Sequence, residues 1–304
     1  MAALPRDVPR RSPHPAPPPA AFRALEIAAI DGHPIAARHF APPGPARGAA
    51  LIVPAMAVPQ TFYEPLARWL ASIGVHAVTF DYRGTGLSRR GSLRGLAADI
   101  VSWAQLDVTA VLRALQDVTP GLPLTWIGHS LGGQIVPFAP DHRELARVVT
   151  VATGAGYWRE NAPALRRKVW LLWYLVAPVA TSLFGYFPGK RLGMLGDLPA
   201  GVIRQWRTWC LDPEYAVGAG GPAVRELYAR VTAPITALSF TDDEMMSARN
   251  TLSLHGHYAR APVELRRIDP AEVGMARIGH FGFFRPEARE PLWERVLRPA
   301  LALR

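Results

Sequence analysis

One serine lies in a sequence pattern that could make it a nucleophile. Residues 128–132 read G-H-S-L-G, which fits G-x-S-x-G, and a short strand is predicted before them at residues 124–127, with a helix after them. In such a strand-turn-helix the serine stands at a strained turn, and a side chain two residues away on either side would collide with the turn. The pattern therefore predicts Ser130 as a nucleophile.

A serine hydroxyl becomes reactive when a neutral imidazole accepts its proton and a carboxylate orients that imidazole. Residues 241–245 read T-D-D-E-M and follow a predicted strand at residues 235–240. Sites in open α/β sheets collect at this end of the strands. Asp243 is the predicted acid, and Asp242 is the alternative, because the register depends on a single apolar residue, Met245.

His280 is the predicted base. It follows the last predicted strand, at residues 263–268, and so completes the chain order serine, acid, histidine. His255 and His257 precede that strand and rank lower.

Negative charge that develops on a carbonyl oxygen needs two backbone N–H donors. The expected donors are Leu131, directly after the serine, and Met56, in the loop P-A-M-A-V-P-Q at residues 54–60 after the third strand. Ala57 is the alternative to Met56. Asp81 and Arg83, in the loop after the fourth strand, are interpreted as residues that organise that loop.

The elements that must position these residues alternate between strands and helices, which predicts a mostly parallel, doubly wound α/β sheet. An antiparallel pair at residues 22–30 and 34–40 comes first, and a crossover helix is predicted at residues 96–118. Further strands are predicted at residues 49–53, 75–80, 124–127, 148–152, 235–240 and 263–268. The predicted organisation is a disordered Pro- and Arg-rich tail at 1–21, a core at 22–153, a helical lid at 154–232 and the rest of the core at 233–304.

The lid contains an uncharged run at residues 169–189 that is long enough to cross a membrane. We predict no span, because a single crossing would separate strands that must join one sheet, and because Pro178 and Gly185 interrupt the run. Two short apolar helices are expected instead, which either pack on the core, bind an acyl group or touch a membrane surface. The side chains expected to place apolar surface beside the serine are Trp170, Leu172, Trp173, Leu175, Val176, Leu183 and Phe184.

The composition restricts which cellular compartment and which binding partners are expected. The net charge is +10, but the arginines are scattered and no nucleic-acid-binding module is visible, so no nucleic-acid partner is predicted. Cys210 is the only cysteine, which excludes an internal disulfide and favours a cytoplasmic location. No apolar run of the kind a signal peptide needs occurs in the first twenty residues. No metal or cofactor is predicted.

Four segments together resemble the α/β-hydrolase superfamily. They are F-D-Y-R-G-T-G-L-S at 80–88, G-H-S-L-G-G at 128–133, T-D-D-E-M at 241–245 and I-G-H-F at 278–281. V-P-Q at 58–60 and A-R-I-G-H-F-G-F-F at 276–284 are similar to a bacterial group of predicted hydrolases related to serine aminopeptidase and monoacylglycerol lipase-like proteins. The resemblance, over about residues 22–304, implies the α/β-hydrolase fold and the triad Ser130, Asp243 and His280.

The expected function is therefore a serine hydrolase that cleaves an ester or thioester of a small apolar molecule through an acyl-enzyme. Acyl transfer and an aminopeptidase activity of the same fold are the alternatives, together with a noncatalytic ligand-binding protein. An aminopeptidase would need an acidic anchor for the substrate amine, for which Glu160 and Asp197 in the lid are the candidates.

Overall fold

The computed structural model describes residues 22–194 and 196–303. The predicted disordered tail at residues 1–21 lies outside the described residues.

A single eight-stranded sheet forms the centre of the protein. Its strands are β1 Phe22–Ala28, β2 Pro34–Phe40, β3 Gly48–Val53, β4 Val75–Phe80, β5 Leu124–His129, β6 Arg147–Val151, β9 Ile235–Phe240 and β10 Val263–Ile268. Their order in the sheet is β1-β2-β4-β3-β5-β6-β9-β10. β2 pairs antiparallel with both β1 and β4, and all other neighbours in the sheet are parallel. This confirms the predicted mostly parallel sheet.

The central strand β3 is buried along its whole length, because helices cover both faces of the sheet. Its alternate side chains enter two different hydrophobic cores. Leu51 and Val53 belong to the core on one face, and Ala50 and Ile52 belong to the core on the other. An apolar run without polar alternation is therefore what this position in the sheet requires.

The helices around the sheet are mostly short. They are α1 Glu64–Ser72, α2 Ile100–Ser102, α3 Thr109–Val118, α4 Leu131–Gln134, α5 Pro163–Leu171, α6 Ala177–Phe184, α7 Ala200–Leu211, α8 Tyr215–Arg230, α9 Ala248–His255 and α10 Arg298–Leu301. A π-helical segment, Trp103–Val108, joins α2 to α3. This crossover helix begins four residues later than predicted, because Asp99 caps it by accepting a hydrogen bond from the backbone N–H of Ser102.

The segment between β6 and β9 interrupts the strand-helix alternation. In it α5, the π-helical segment Leu172–Val176 and α6 follow one another directly, and a short hairpin of β7 Tyr186–Phe187 and β8 Leu198–Pro199 leads into α7 and α8. We call α5 through α6 the insertion helix. Among the described residues, no helix has the length and apolar character that a transmembrane passage requires.

Candidate active site

Ser130 occupies the sharp turn between β5 and α4. Its backbone has φ 50° and ψ −113°, a conformation that side-chain-bearing residues rarely adopt. A Cβ atom at Gly128 would lie 2.5 Å from the carbonyl oxygen of Gly132, and one at Gly132 would lie 2.1 Å from the carbonyl oxygen of Val53. Both positions flanking the serine therefore require glycine, as the G-x-S-x-G pattern predicts.

The loop after β9 brings one carboxylate to the imidazole of His280. The Nδ1 atom of His280 lies 2.9 Å from Oδ2 and 3.1 Å from Oδ1 of Asp243. Both side chains are almost completely buried. Oδ1 of Asp243 also accepts hydrogen bonds from the backbone N–H groups of Met245, at 2.7 Å, and Met246, at 2.9 Å. The carboxylate is thus fixed from both sides, and it leaves Nε2 of His280 as the atom that can accept a proton.

Asp242, the alternative acid, faces away from the imidazole. Its carboxylate accepts hydrogen bonds from the backbone N–H groups of Ile278, at 2.8 Å, and Gly279, at 3.0 Å. Glu244 accepts a third one, from the N–H of His280 at 3.1 Å. The acids on either side of Asp243 therefore hold the backbone of the histidine loop. This role was not predicted from the sequence, although the three consecutive acids at residues 242–244 were a visible signal for it.

His129, the last residue of β5 and the direct neighbour of Ser130, contacts His280. The His129 ring lies 5.2 Å from the ring of His280, centroid to centroid, and its Nε2 is 3.0 Å from the backbone carbonyl oxygen of His280. Within the described part of the chain, no hydrogen bond joins the Ser130 hydroxyl to His280. Catalytic hydrogen bonds of ligand-free sites are often long and shorten when the substrate binds.

His129 also connects the elbow to the loop after β3. A carbonyl oxygen can only accept, so Nε2 of His129 carries the proton toward His280 and Nδ1 accepts a hydrogen bond from the hydroxyl of Tyr63 at 2.9 Å. The same hydroxyl accepts the backbone N–H of Ala55 at 2.9 Å. Burial holds the pKa of His129 well below its ordinary value, and the nearby His280 lowers it further. A neutral His129 can therefore make all of these hydrogen bonds at once, with Nε2 as donor and Nδ1 as acceptor.

The two expected oxyanion donors lie on either side of this network. Leu131 is the first residue of α4, where a backbone N–H has no acceptor within its own helix. Met56 lies in a turn closed by the N–H of Val58, which donates to the carbonyl oxygen of Ala55 at 3.2 Å. Ala57, its alternative, has a positive φ of 59°. Both Met56 and Leu131 are buried in one hydrophobic core.

Asp81 and Arg83 have partners that fix the loop after β4, in agreement with their interpretation as residues that organise this loop. The Asp81 carboxylate accepts the backbone N–H groups of Gln60, at 2.8 Å, and Leu87, at 2.9 Å. The buried Arg83 guanidinium donates from Nε to Asp107 at 2.7 Å. These contacts tie the loop after β4 to its surroundings.

The inner side of the insertion supplies apolar surface next to the loop that carries Met56 and Ala57. A Cβ atom at Gly196, in the β7-β8 hairpin, would lie 3.0 Å from the Cβ atom of Ala57. The core that contains Met56 and Leu131 also contains four insertion side chains, namely Trp173, Phe187, Leu198 and Val202. Of the residues predicted to face the serine, Trp173 is buried, and Leu172, Val176 and Phe184 are partly buried against this core. Three others point elsewhere, since Trp170, Leu175 and Leu183 are 48%, 54% and 71% exposed.

Comparisons with known proteins agree with this architecture. The family model described as serine aminopeptidase, S33, matches residues 44–186. An esterase from Pyrococcus furiosus superposes with a TM-score of 0.60 at 14% sequence identity, over 96% of this chain and 96% of that one. The protein has the α/β-hydrolase fold.

Other α/β-hydrolases of known structure are similarly distant. A soluble variant of monoglyceride lipase from Saccharomyces cerevisiae has a TM-score of 0.59 at 15% identity, over 86% of this chain and 88% of its own. An N-acyl homoserine lactone degrading enzyme has a TM-score of 0.57 at 18% identity, over 90% and 99% of the two chains. No curated protein sequence matches this chain. Identities this low establish the fold, while the reaction has to be argued from the site.

Proposed function

We propose that the protein is a serine hydrolase that cleaves a carboxylic ester or thioester of a small, apolar substrate. The observation that carries this proposal is the buried pair of His280 and Asp243, 2.9 Å apart, beside a serine held in the strained turn of a nucleophile elbow. A carboxylate on Nδ1 fixes the tautomer that presents a basic Nε2 to the serine.

In the proposed mechanism Nε2 of His280 removes the hydroxyl proton of Ser130 as the serine oxygen attacks the carbonyl carbon. Asp243 stabilises the imidazolium that results. The negative carbonyl oxygen of the tetrahedral intermediate is held by the N–H of Leu131 and by that of Met56 or Ala57. The imidazolium then protonates the leaving alcohol or thiol, and water repeats the sequence on the acyl-serine with His280 as base.

An apolar substrate is supported by the surroundings of the proposed oxyanion donors. Met56 and Leu131 share one hydrophobic core with Trp173 and Phe187 of the insertion. An acyl chain bound against such side chains gains about 0.8 kcal/mol for each methylene that leaves water. The insertion then serves as a lid that lines the acyl pocket.

An ester or thioester fits better than the amine-bearing substrate of an aminopeptidase. The Glu160 carboxylate already accepts hydrogen bonds from Arg249, at 2.8 Å, and Ser253, at 2.7 Å. Asp197 accepts from Arg89 at 3.1 Å. Both candidate anchors are therefore partnered by arginine, and a substrate ammonium would have to displace it. The named activities of the structural neighbours, an esterase, a lipase and a lactone-degrading enzyme, point in the same direction.

The decisive test is labelling by a fluorophosphonate probe, which reacts with activated serines. Wild-type protein is expected to form the adduct on Ser130, Ser130→Ala is expected to form none, and the exposed Ser182 on α6 provides the matched control, Ser182→Ala, with full labelling. Labelling that persists in Ser130→Ala would place the nucleophile elsewhere. Absence of labelling in every form would favour a noncatalytic ligand-binding protein.

The acyl pocket is tested with acetate, butyrate, hexanoate and octanoate esters of one phenol. Two extra carbons should raise kcat/KM about tenfold until the pocket is full. A series that stays flat or falls from acetate upward would leave the insertion as a structural element. Adding a primary alcohol to the same assay distinguishes transfer from hydrolysis, because an acyltransferase would form the new ester in preference to the acid.

A further inference from the structure

The outer face of the insertion helix is apolar and open to solvent. Eight of the thirteen exposed large apolar side chains among the described residues lie between residues 170 and 194. Six of them form the outer face, which consists of Trp170, Leu171, Tyr174, Leu175, Val179 and Leu183. The opposite side of the helix is buried in the core through Val169, Trp173 and Ala177.

The spacing makes these residues one continuous surface. Leu171, Leu175, Val179 and Leu183 follow one another at intervals of four, so they form a line along the helix. Trp170 and Tyr174 adjoin that line. A helix that is apolar all round is normally enclosed by protein or by lipid. Here the protein encloses only one side, so the outer face requires a partner.

The charges around the outer face identify the chemistry of that partner. No Asp or Glu occurs between residues 161 and 196, whereas five cations do: Arg166, Arg167, Lys168, Lys190 and Arg191. All five are exposed, and none forms a salt bridge with any described residue. Three of them stand in α5 at one end of the outer face, and two follow α6 at the other end. A complementary surface must offer apolar contact in its middle and negative charge at both ends.

We propose that the outer face of the insertion helix docks on an anionic lipid bilayer, with the helix lying in the interface between headgroups and acyl chains. Such a surface presents acyl chains to the apolar line and phosphate or carboxylate groups to the flanking cations. A second copy of this chain fits less well, because two outer faces would bring the same five cations together with no acid between them.

The element that would dock is connected along the chain to the candidate active site. The insertion helix leads directly into the β7-β8 hairpin, whose Gly196 packs against Ala57 of the oxyanion loop. The docking itself does not depend on hydrolysis, so it can be tested separately from the proposed function.

The experiment measures cosedimentation of the full chain with vesicles of phosphatidylcholine alone or mixed with phosphatidylglycerol. The Ser130→Ala variant is used throughout, so that lipid cleavage cannot alter the vesicles. We expect binding to the mixed vesicles that weakens as salt is added, since salt screens the cations. Binding to phosphatidylcholine alone should be at least about a hundredfold weaker, because each cation near an anionic surface contributes about fivefold in affinity.

Two sets of variants test the two halves of the surface. Leu175→Ser with Val179→Ser and Leu183→Ser should weaken vesicle binding by more than about tenfold. The matched control is Leu252→Ser with Leu265→Ser, two exposed leucines on α9 and β10 that lie outside the insertion. It should bind as the parent does.

The charges are tested with the triple variant Arg166→Ser, Arg167→Ser and Lys168→Ser. Its affinity for the mixed vesicles should be about a hundredfold lower than that of the parent. The control removes the same charge elsewhere, from the exposed arginines 260, 267 and 289. Circular dichroism and the unfolding midpoint verify that each variant is folded.

Three results would overturn the proposal. The first is no binding of the parent to mixed vesicles. The second is an equal loss of vesicle binding in the insertion variants and in their controls, which would indicate that the protein adsorbs through its net charge alone. The third is a parent protein that does not bind vesicles but forms a dimer in analytical ultracentrifugation, where the variant with three serines in the apolar line is a monomer. That result would assign the outer face to a second copy of the chain.

Discussion

Replacing Tyr63 by phenylalanine removes one buried oxygen and should damage both stability and turnover. That oxygen accepts the N–H of Ala55 and donates to Nδ1 of His129, each at 2.9 Å. Phenylalanine keeps the ring and its packing but leaves both groups buried without a partner. A buried polar group that loses its partner costs about 1–3 kcal/mol, so the free energy of unfolding should fall by about 3 kcal/mol.

Tyr228→Phe is the matched control, because Tyr228 is equally buried and its hydroxyl donates one hydrogen bond, at 2.9 Å, to the carbonyl oxygen of Gln134. It should lose about 1 kcal/mol. Urea unfolding measures both, and an unchanged m-value verifies that the same surface is exposed on unfolding. A loss in Tyr63→Phe no larger than that in Tyr228→Phe would refute the bridging role of the hydroxyl.

Turnover separates a positioning role of Tyr63 from a merely structural one. Ala55 precedes Met56, and His129 precedes Ser130, so freeing both should misplace the proposed oxyanion donor and the proposed nucleophile together. We expect Tyr63→Phe to lower kcat by at least about tenfold with little change in KM, since the groups affected act on the transition state. Tyr228→Phe should leave kcat unchanged. Equal kcat values in both variants would leave Tyr63 as a packing residue.

Three further predictions address the acid loop, a buried histidine and the elbow. Asp243→Asn should lower kcat by about 10⁴ through loss of the correct tautomer, whereas Asp242→Asn should lower it about tenfold by loosening the histidine loop; the reverse ranking in steady-state kinetics would exchange their roles. Burial lowers the pKa of His255 to about 4, so the unfolded chain binds the extra proton below pH 6.5. The stability from this group is complete above pH 6.5 and is lost as the pH falls, by about 2 kcal/mol at pH 5, and His255→Gln should flatten that part of the profile in urea titrations. Gly132→Ala should yield little folded protein, because its Cβ atom would lie 2.1 Å from a backbone oxygen, whereas Gly44→Ala, with nothing within 4 Å, should express and melt like wild type.

The sheet was largely predictable, because local signals and burial agree there. Residues 75–80, 235–240 and 263–268 are strands with the predicted bounds. Apolar runs bounded by turn residues suffice when helices cover both faces of a strand. The elbow was predictable for a different reason, since the two close contacts of Gly128 and Gly132 allow no other residue.

The supporting contacts of the site could not be predicted from the sequence. Whether Asp242 or Asp243 faces the imidazole depends on the turn after β9, a difference of one residue that apolar spacing does not encode. The orientation of the insertion helix posed the same problem. Its residues are apolar on both sides, so the sequence indicates a helix but does not specify which side the core covers. The cytoplasmic location, based on one cysteine, stays a prediction.

The candidate site is held largely through the neighbours of the residues that are proposed to react. Ala55 fixes the loop of Met56, His129 fixes the turn of Ser130, and Asp242 and Glu244 fix the loop that carries His280. This division leaves the Ser130 hydroxyl and Nε2 of His280 without a hydrogen-bond partner among the described residues. Atoms that are free yet held by rigid neighbours can bind a substrate carbonyl without first breaking internal bonds. Both oxygens of Asp243, in contrast, accept hydrogen bonds from fixed partners. This suits a carboxylate that orients the imidazole and does not move during the reaction.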